Sequence, residues 1–124
     1  MKRKPSLAKL KRDLDKAFSR FIRLRACDGC NRGVCVTCGA IVDYSEANAG
    51  HFIPRQHLAI RYDERNVHLQ CVRCNKWMHG NLINYTLYMQ NRYGQEVVDE
   101  LMRLKRTTVK MTRDDYNTLL EKYS

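Results

Sequence analysis

Acidic residues are scarce in this sequence, and long apolar runs are missing. Thirteen Asp and Glu stand against 23 Lys and Arg, a formal charge of +10 over 124 residues. That imbalance concerns partners rather than fold: a basic surface neutralises phosphates and releases their counterions, so nucleic acid is the expected partner and an anionic membrane the weaker competitor. No stretch approaches the ~20 apolar residues that a membrane-spanning helix needs. The opening residues, Met1-Lys2-Arg3-Lys4-Pro5, run on into charged sequence without the apolar core of a secretory signal. The expectation is a soluble intracellular protein, in which the six cysteines read as reduced metal ligands and not as a disulfide framework. Internal repeats and low-complexity segments are also missing. The length predicts one domain, 1–124, with a modest core that a metal staple would help to hold.

What is present centres on residues 35 to 81. Two CxxC pairs, Cys35/Cys38 and Cys71/Cys74, each place two thiolates on a tight turn, and Zn²⁺ takes four such ligands in a closed tetrahedron. Gly39 suits the first turn because it tolerates positive φ. The cysteines alone support a structural zinc and nothing more. A third pair, Cys27 and Cys30, lies in the connection 27–34; six thiolates exceed the needs of one zinc, so this pair is either spare or a competitor for Cys35 and Cys38.

The spacing predicts an α+β protein, mostly helical. Ser6 is a suitable N-cap for a helix over 6–26, whose Leu7, Leu10, Leu14, Ala17, Phe18, Phe21 and Ile22 form one apolar stripe. Ten Lys or Arg against two Asp lie between Lys2 and Arg25; Lys9, Arg12, Lys16, Arg20 and Arg23 are candidate phosphate contacts, and the apolar stripe a candidate dimer interface. Residues 40–44 and the stretch around Phe52-Ile53 have strand character, predicting a β-hairpin turned through 45–50. Residues 55–65 read as a polar loop, 67–70 as extended, and a helix is expected from Asn75, carrying His79 one turn on. Further helices are predicted over 82–93, with Gly94 as C-cap, over 95–105, and from Thr112, where Asp115 would complete a capping box. At such spacing the seven tyrosines read as core or rim residues rather than base-stacking platforms.

His51 is followed fifteen residues later by Asn66, nine further on by Asn75 and four further on by His79. With CVTC, GHFIP, RNVHLQCVRCN and KWMHGN, that order resembles the HNH, or ββα-metal, nucleases that hold a structural zinc on two CxxC pairs. Within that group it is similar to the phage NinG (Rap) recombination nucleases. The resemblance implies a zinc-stapled ββα core over 35–81 with flanking helices (6–26 and 82–124), Cys35, Cys38, Cys71 and Cys74 as zinc ligands, and Cys27 and Cys30 as free thiols. It implies His51 as general base, Asn66 as a brace for the loop, and Asn75 and His79 as holders of a catalytic Mg²⁺ or Mn²⁺. Arg55, Arg61, Arg65, Arg73 and Lys76 would meet the flanking phosphates. His68 is a rival ligand. The implied activity is cutting of branched recombination intermediates, D-loops or Holliday junctions, in the cytoplasm of a phage-infected bacterium, with a homodimer or other recombination proteins as partners.

One departure weakens that match. Many HNH sequences carry Asp or His just before the base, as a metal ligand, and this chain has Gly50; Asp43, Asp63 or Glu64 are the candidates to replace it. Two other readings follow: a non-enzymatic zinc-dependent DNA-binding adaptor, and an HNH nuclease acting on ordinary duplex.

Overall fold

The computed structural model of the protein describes residues 3–124; Lys2, one of the basic residues counted above, lies outside them. Helix α1 spans Leu7–Arg25, and the Ser6 side chain accepts a hydrogen bond from Lys9 N–H as N-cap. Its apolar stripe is spent inside the chain. Leu10, Leu14, Phe18 and Ile22 are buried with Val67, Tyr116 and Tyr123 in one core cluster, formed where α1 crosses the C-terminal helix α5 (Arg113–Tyr123). These four stripe residues are therefore core and not a surface on which a second copy could dock. Thr112 and Asp115 form the expected capping box at the start of α5.

The strands pair differently from the expected hairpin. β1 (Arg32–Val34) pairs antiparallel with β2 (Ile41–Asp43), and one turn of 3₁₀ helix over Tyr44–Glu46 leads into β3 (Ala47–His51). β3 pairs antiparallel with β4 (Val67–Cys71), setting Gly50 opposite His68 and His51 opposite Val67. Most of the segment 45–50, expected to be a turn, is thus a strand. Its sequence Ala-Asn-Ala-Gly-His has none of the β-branched or long apolar residues that mark a strand, and at Gly50 the packing leaves no room for a side chain. A Cβ at Gly50 would lie 1.8 Å from Gln70 Oε1. Phe52 and Ile53, expected in a strand, instead drop into a second core cluster with Ile60, Tyr85, Met89, Val98 and Leu101.

Between β3 and β4 the predicted polar loop contains a single helical turn, α2 (Leu58–Arg61), anchored by the fully buried Ile60. After β4, α3 (Leu82–Tyr93) and α4 (Gln95–Leu104) meet at Gly94, whose φ of +88° favours glycine, and pack as a helical pair. Tyr85, Tyr116 and Tyr123 are buried, in keeping with core roles.

His68 is a core residue and not a ligand. The Tyr93 hydroxyl donates to its Nε2 at 2.8 Å, its Nδ1 donates to Tyr85 Oη at 3.1 Å, and Tyr85 in turn donates to the Gly50 carbonyl at 2.6 Å. Burial, reinforced by the charges of Arg25 and Arg92, pushes its imidazole down to about 3 from 6.5. As pH falls, the unfolded chain takes up this proton first, so the stabilisation is complete above 6.5 and is lost progressively toward 3. Thermal midpoints should fall between pH 6.5 and roughly pH 5, before most carboxylates titrate, and His68→Gln should flatten that slope.

Candidate active site beside a four-cysteine cluster

The Sγ atoms of Cys35, Cys38, Cys71 and Cys74 all lie within 4.8 Å of one another, Cys38 and Cys71 at 3.7 Å. Zn–S bonds of about 2.3 Å in a tetrahedron place sulfurs roughly 3.8 Å apart, so the cluster fits a metal ion such as zinc. Donors beside Cys35, Cys71 and Cys74 can stabilise thiolate, whereas at Cys38 a backbone hydrogen bond from Ala40 is outweighed by burial and the neighbouring thiols, which push it up to about 12, the crowding that a shared cation would relieve. The Thr37 hydroxyl lies 3.3 Å from Cys35 Sγ, the Cys74 N–H donates to Cys71 Sγ at 3.4 Å and Asn81 Nδ2 to Cys74 Sγ at 3.5 Å. Burial opposes ionisation of Cys35, yet hydrogen bonds from the Thr37 side chain and neighbouring backbone bring its thiol down to about 6. Neither Asn81 nor Thr37 was singled out in the sequence; a small polar residue inside one CxxC, and Asn just after a Gly, are the faint signals. Cys27 and Cys30 stay outside the cluster as free thiols.

The cluster is tied to a cavity of about 510 Å³ lined by His51, Arg55, Asn75, Lys76, His79 and Gly80, with Asp15 and Ser19 of α1 on the other wall. Asn75 and His79 reach it without the expected helix. Met78 N–H bonds to the Arg73 carbonyl at 2.8 Å, closing one π turn over Arg73–Trp77, and His79, Gly80 and Asn81 then take φ of +50°, +93° and +49°. Two non-glycine residues in the left-handed region mark a turn held by its surroundings. Gln70 supplies part of the hold: its Nε2 donates to the Gly80 carbonyl at 2.9 Å and to Thr37 Oγ1 at 3.1 Å, linking the cavity wall to the cysteine cluster.

His51 is oriented by backbone. Its Nε2 lies 2.9 Å from the Arg61 carbonyl, which can only accept, so Nε2 carries the proton and Nδ1 keeps a free lone pair. Burial lowers the imidazole pKa, and the Arg61 and Arg55 charges add to the lowering against the opposing hydrogen bond; the ring is neutral at pH 7. Asn66 is fully buried and braces the loop, its Oδ1 accepting from Ile53 N–H and its Nδ2 donating to Ile53 O, both at 2.9 Å.

The basic residues divide into two groups. Arg61, expected to meet phosphate, is buried: Nε and Nη2 donate to the Asp15 carboxylate at 2.9 and 2.6 Å, and Nη1 to the Arg55 carbonyl. Arg65 is likewise taken up, by Asp63 and Glu100 at 2.8 and 2.7 Å. Arg23 bonds Ser19 and stacks on Tyr44, and Lys9 pairs with Asp13. Arg55, Arg73, Lys76, Arg12, Lys16 and Arg20 are exposed. Arg12 and Lys16 lie one helical turn from the cavity-lining Asp15 and Ser19, so their ridge runs along its edge.

No acid proposed to replace a ligand at Gly50 lines the cavity. Asp63 is held by Arg65, Glu64 by Arg25, Lys122 and Tyr123, and Asp43 lies in β2. The acid that does line it, Asp15, was missed because its partner Arg61 is 46 residues away. Although burial works against its ionisation, hydrogen bonds from Arg61 and Tyr62 hold its carboxyl below the usual range. The space of a position-50 side chain is taken by Gln70 Oε1, a buried oxygen with no hydrogen-bond partner among the described residues.

Two outcomes test this geometry. The purified chain should carry one zinc per molecule, and Cys74→Ser should lose it with a fall in thermal midpoint of about 10 °C or more, whereas Cys30→Ser keeps both. Gly50→Ala should cost about 1–3 kcal/mol in denaturant titrations and distinctly less in a Gln70→Ala background, where the clashing amide is gone.

The family described as Bacteriophage Lambda NinG protein matches residues 2–124. The chain is similar to "Protein ninG" of Escherichia phage 933W, with 43% identity over 68 residues, and to those of Escherichia phage lambda (40%) and Salmonella phage P22 (38%) over the same length. The aligned stretch is 54% of this chain and 33% of each relative, so the chain spans about a third of the length of these relatives. No solved structure matches. Matched by one family from residue 2 to residue 124, the chain belongs to the NinG family of phage proteins.

Proposed function

We propose that this protein is a metal-dependent HNH-type endodeoxyribonuclease acting on branched recombination intermediates. The observation that carries the reading is the convergence of His51, Asn75 and His79 on one cavity bordered by a basic helix ridge. Hydrolysis of a phosphodiester needs an activated water, compensation of charge on the phosphate and help for the leaving oxygen. His51 offers Nδ1 as the proton acceptor from water, neutral at working pH, with the Nε2–H held by the Arg61 carbonyl. Arg61 owes its own place to Asp15, so α1 takes part in aiming the base although it lies outside the motif. Arg55 and Lys76 at the cavity, with Arg12, Lys16, Arg20 and Arg73 near it, are disposed to hold phosphates on either side.

The donors present fit a weakly held divalent ion. Asn75 and His79 would hold it, with water and substrate phosphate completing the shell, and such a mixed oxygen and imidazole set suits Mg²⁺ or Mn²⁺. When bound, the ion would act as a Lewis acid toward the phosphate and leaving oxygens. The branched substrate, like the cytoplasm of an infected cell as its place of action and a homodimer or recombination proteins as partners, rests on the family resemblance. A second reading, a zinc-dependent DNA-binding adaptor, is favoured by Gly50 and by the engagement of Asp15, which leave the cavity without a free carboxylate.

Labelled four-way junction and matched linear duplex, incubated with Mg²⁺ or EDTA, separate these readings. His51→Ala should slow cleavage by about 10²–10⁴-fold while keeping zinc and DNA affinity. Asp15→Asn should lower kcat with little change in binding, and the rate should decline as acid protonates His51, on a limb below pH 6.5. Tight binding by folded protein with no cutting in Mg²⁺ or Mn²⁺ would point to the adaptor.

A further inference from the structure

The turn that brings Asn75 and Lys76 to the cavity also carries the only tryptophan of the chain. Trp77 is 78% exposed, and Met78, Leu82 and Ile83 just after it are 41%, 51% and 82% exposed. An indole left in water forgoes the burial that usually fixes it, and exposed apolar side chains gathered on one stretch mark a contact surface. The setting indicates what is contacted. Arg73 and Lys76 are exposed on the same turn, and Lys76 lines the cavity that holds His51. Trp77 follows Lys76 in the chain and lies outside the cavity lining, within reach of a strand that runs past Lys76 and out over the rim. Nucleic acid matches both chemistries at once, phosphate for the cations and a base face for the indole.

Continuous duplex has no such face to offer, since each base pair is covered by the next. A branch point does where its arms are held apart and not stacked end to end, because the pair that ends such an arm lacks a stacking neighbour. We propose that Trp77 reads the branch: its indole stacks on the base-pair face exposed there, while Arg73 and Lys76 hold the adjoining phosphates. Selectivity for structure then requires no base-specific hydrogen bond, since every base has a face to stack on. The inference rests on the branched-DNA reading above and assigns that selectivity to one residue.

As the sole tryptophan, Trp77 is its own reporter. The test titrates the full chain, made inactive by His51→Ala, with a four-way junction and with a linear duplex of the same sequences at one salt concentration. Tryptophan emission should be quenched by the junction and little changed by the duplex. By anisotropy of labelled DNA, Trp77→Ala should weaken junction binding by about tenfold or more, leaving duplex binding unchanged, and Trp77→Phe should restore part of the preference. Unchanged emission on junction binding, or an equal junction preference in Trp77→Ala, would overturn the role of Trp77 alone. Equal affinity of the parent chain for junction and duplex would instead remove the branched-substrate reading on which it rests. An emission change that tracks protein concentration without DNA, together with a dimer in sedimentation that Trp77→Ala disperses, would overturn the proposal in favour of contact with a second copy.

Discussion

Four sulfur atoms brought within 4.8 Å of one another are the constraint on which the rest of this molecule depends. Two come from a turn after β1, one from the end of β4 and one from the π turn that follows it, so a metal ion held between them joins segments more than thirty residues apart in the chain. Thiolates that close would repel one another without a cation to share. The consequence reaches past the cluster. Thr37 beside Cys35 is bonded to Gln70, Gln70 to the carbonyl of Gly80, and Gly80 lies in the left-handed turn that presents His79. Asn81 closes the same circuit from the other side through Cys74. The shape of the cavity wall is in this sense a property of the cysteine cluster.

The opposite wall comes from the first helix. Its apolar face is consumed in the core with α5, and the neighbouring face sets Asp15 into the cavity, where a bidentate pair with Arg61 fixes the loop whose carbonyl orients His51. The ridge that carries Asp15 and Ser19 also carries Arg12 and Lys16. One element thus positions the proposed base and lends positive potential to the cavity rim. Neutral His51 follows from the same surroundings, because burial and two nearby guanidinium groups all disfavour a further positive charge.

The close contact between Gly50 and Gln70 gives the missing side chain a physical meaning. A residue with a Cβ at position 50 would collide with the Gln70 amide, which is engaged in holding Thr37 and Gly80. An acid there would have to displace the Gln70 amide and so disturb the link between the cluster and the cavity wall, which is why this packing favours glycine. In the proposed reaction that leaves fewer protein ligands for a catalytic ion and a larger share of its shell to water and substrate.

The helices were legible in the chain because each carries local signals: the Ser6 cap and apolar stripe of α1, Gly94 between α3 and α4, the capping box of α5. The four-cysteine cluster was legible too, since CxxC is a local geometry with one dominant chemistry. The sequence by itself therefore determined where the long helices run, that two CxxC pairs gather and that the surface is basic, while the order of the whole motif chose which of the three pairs take part. Tertiary structure alone decided the rest. The strand 47–51 lacks strand-forming residues and is set by its pairing with β4, the turn at Arg73–Trp77 closes wider than an α-helix and gives way to left-handed residues, and Arg61 passed from surface to interior because Asp15 waits for it 46 residues away. Periodicity records only which side of an element faces inward. Which two distant side chains meet there is set by how the elements cross, and that is written in no single stretch of the chain.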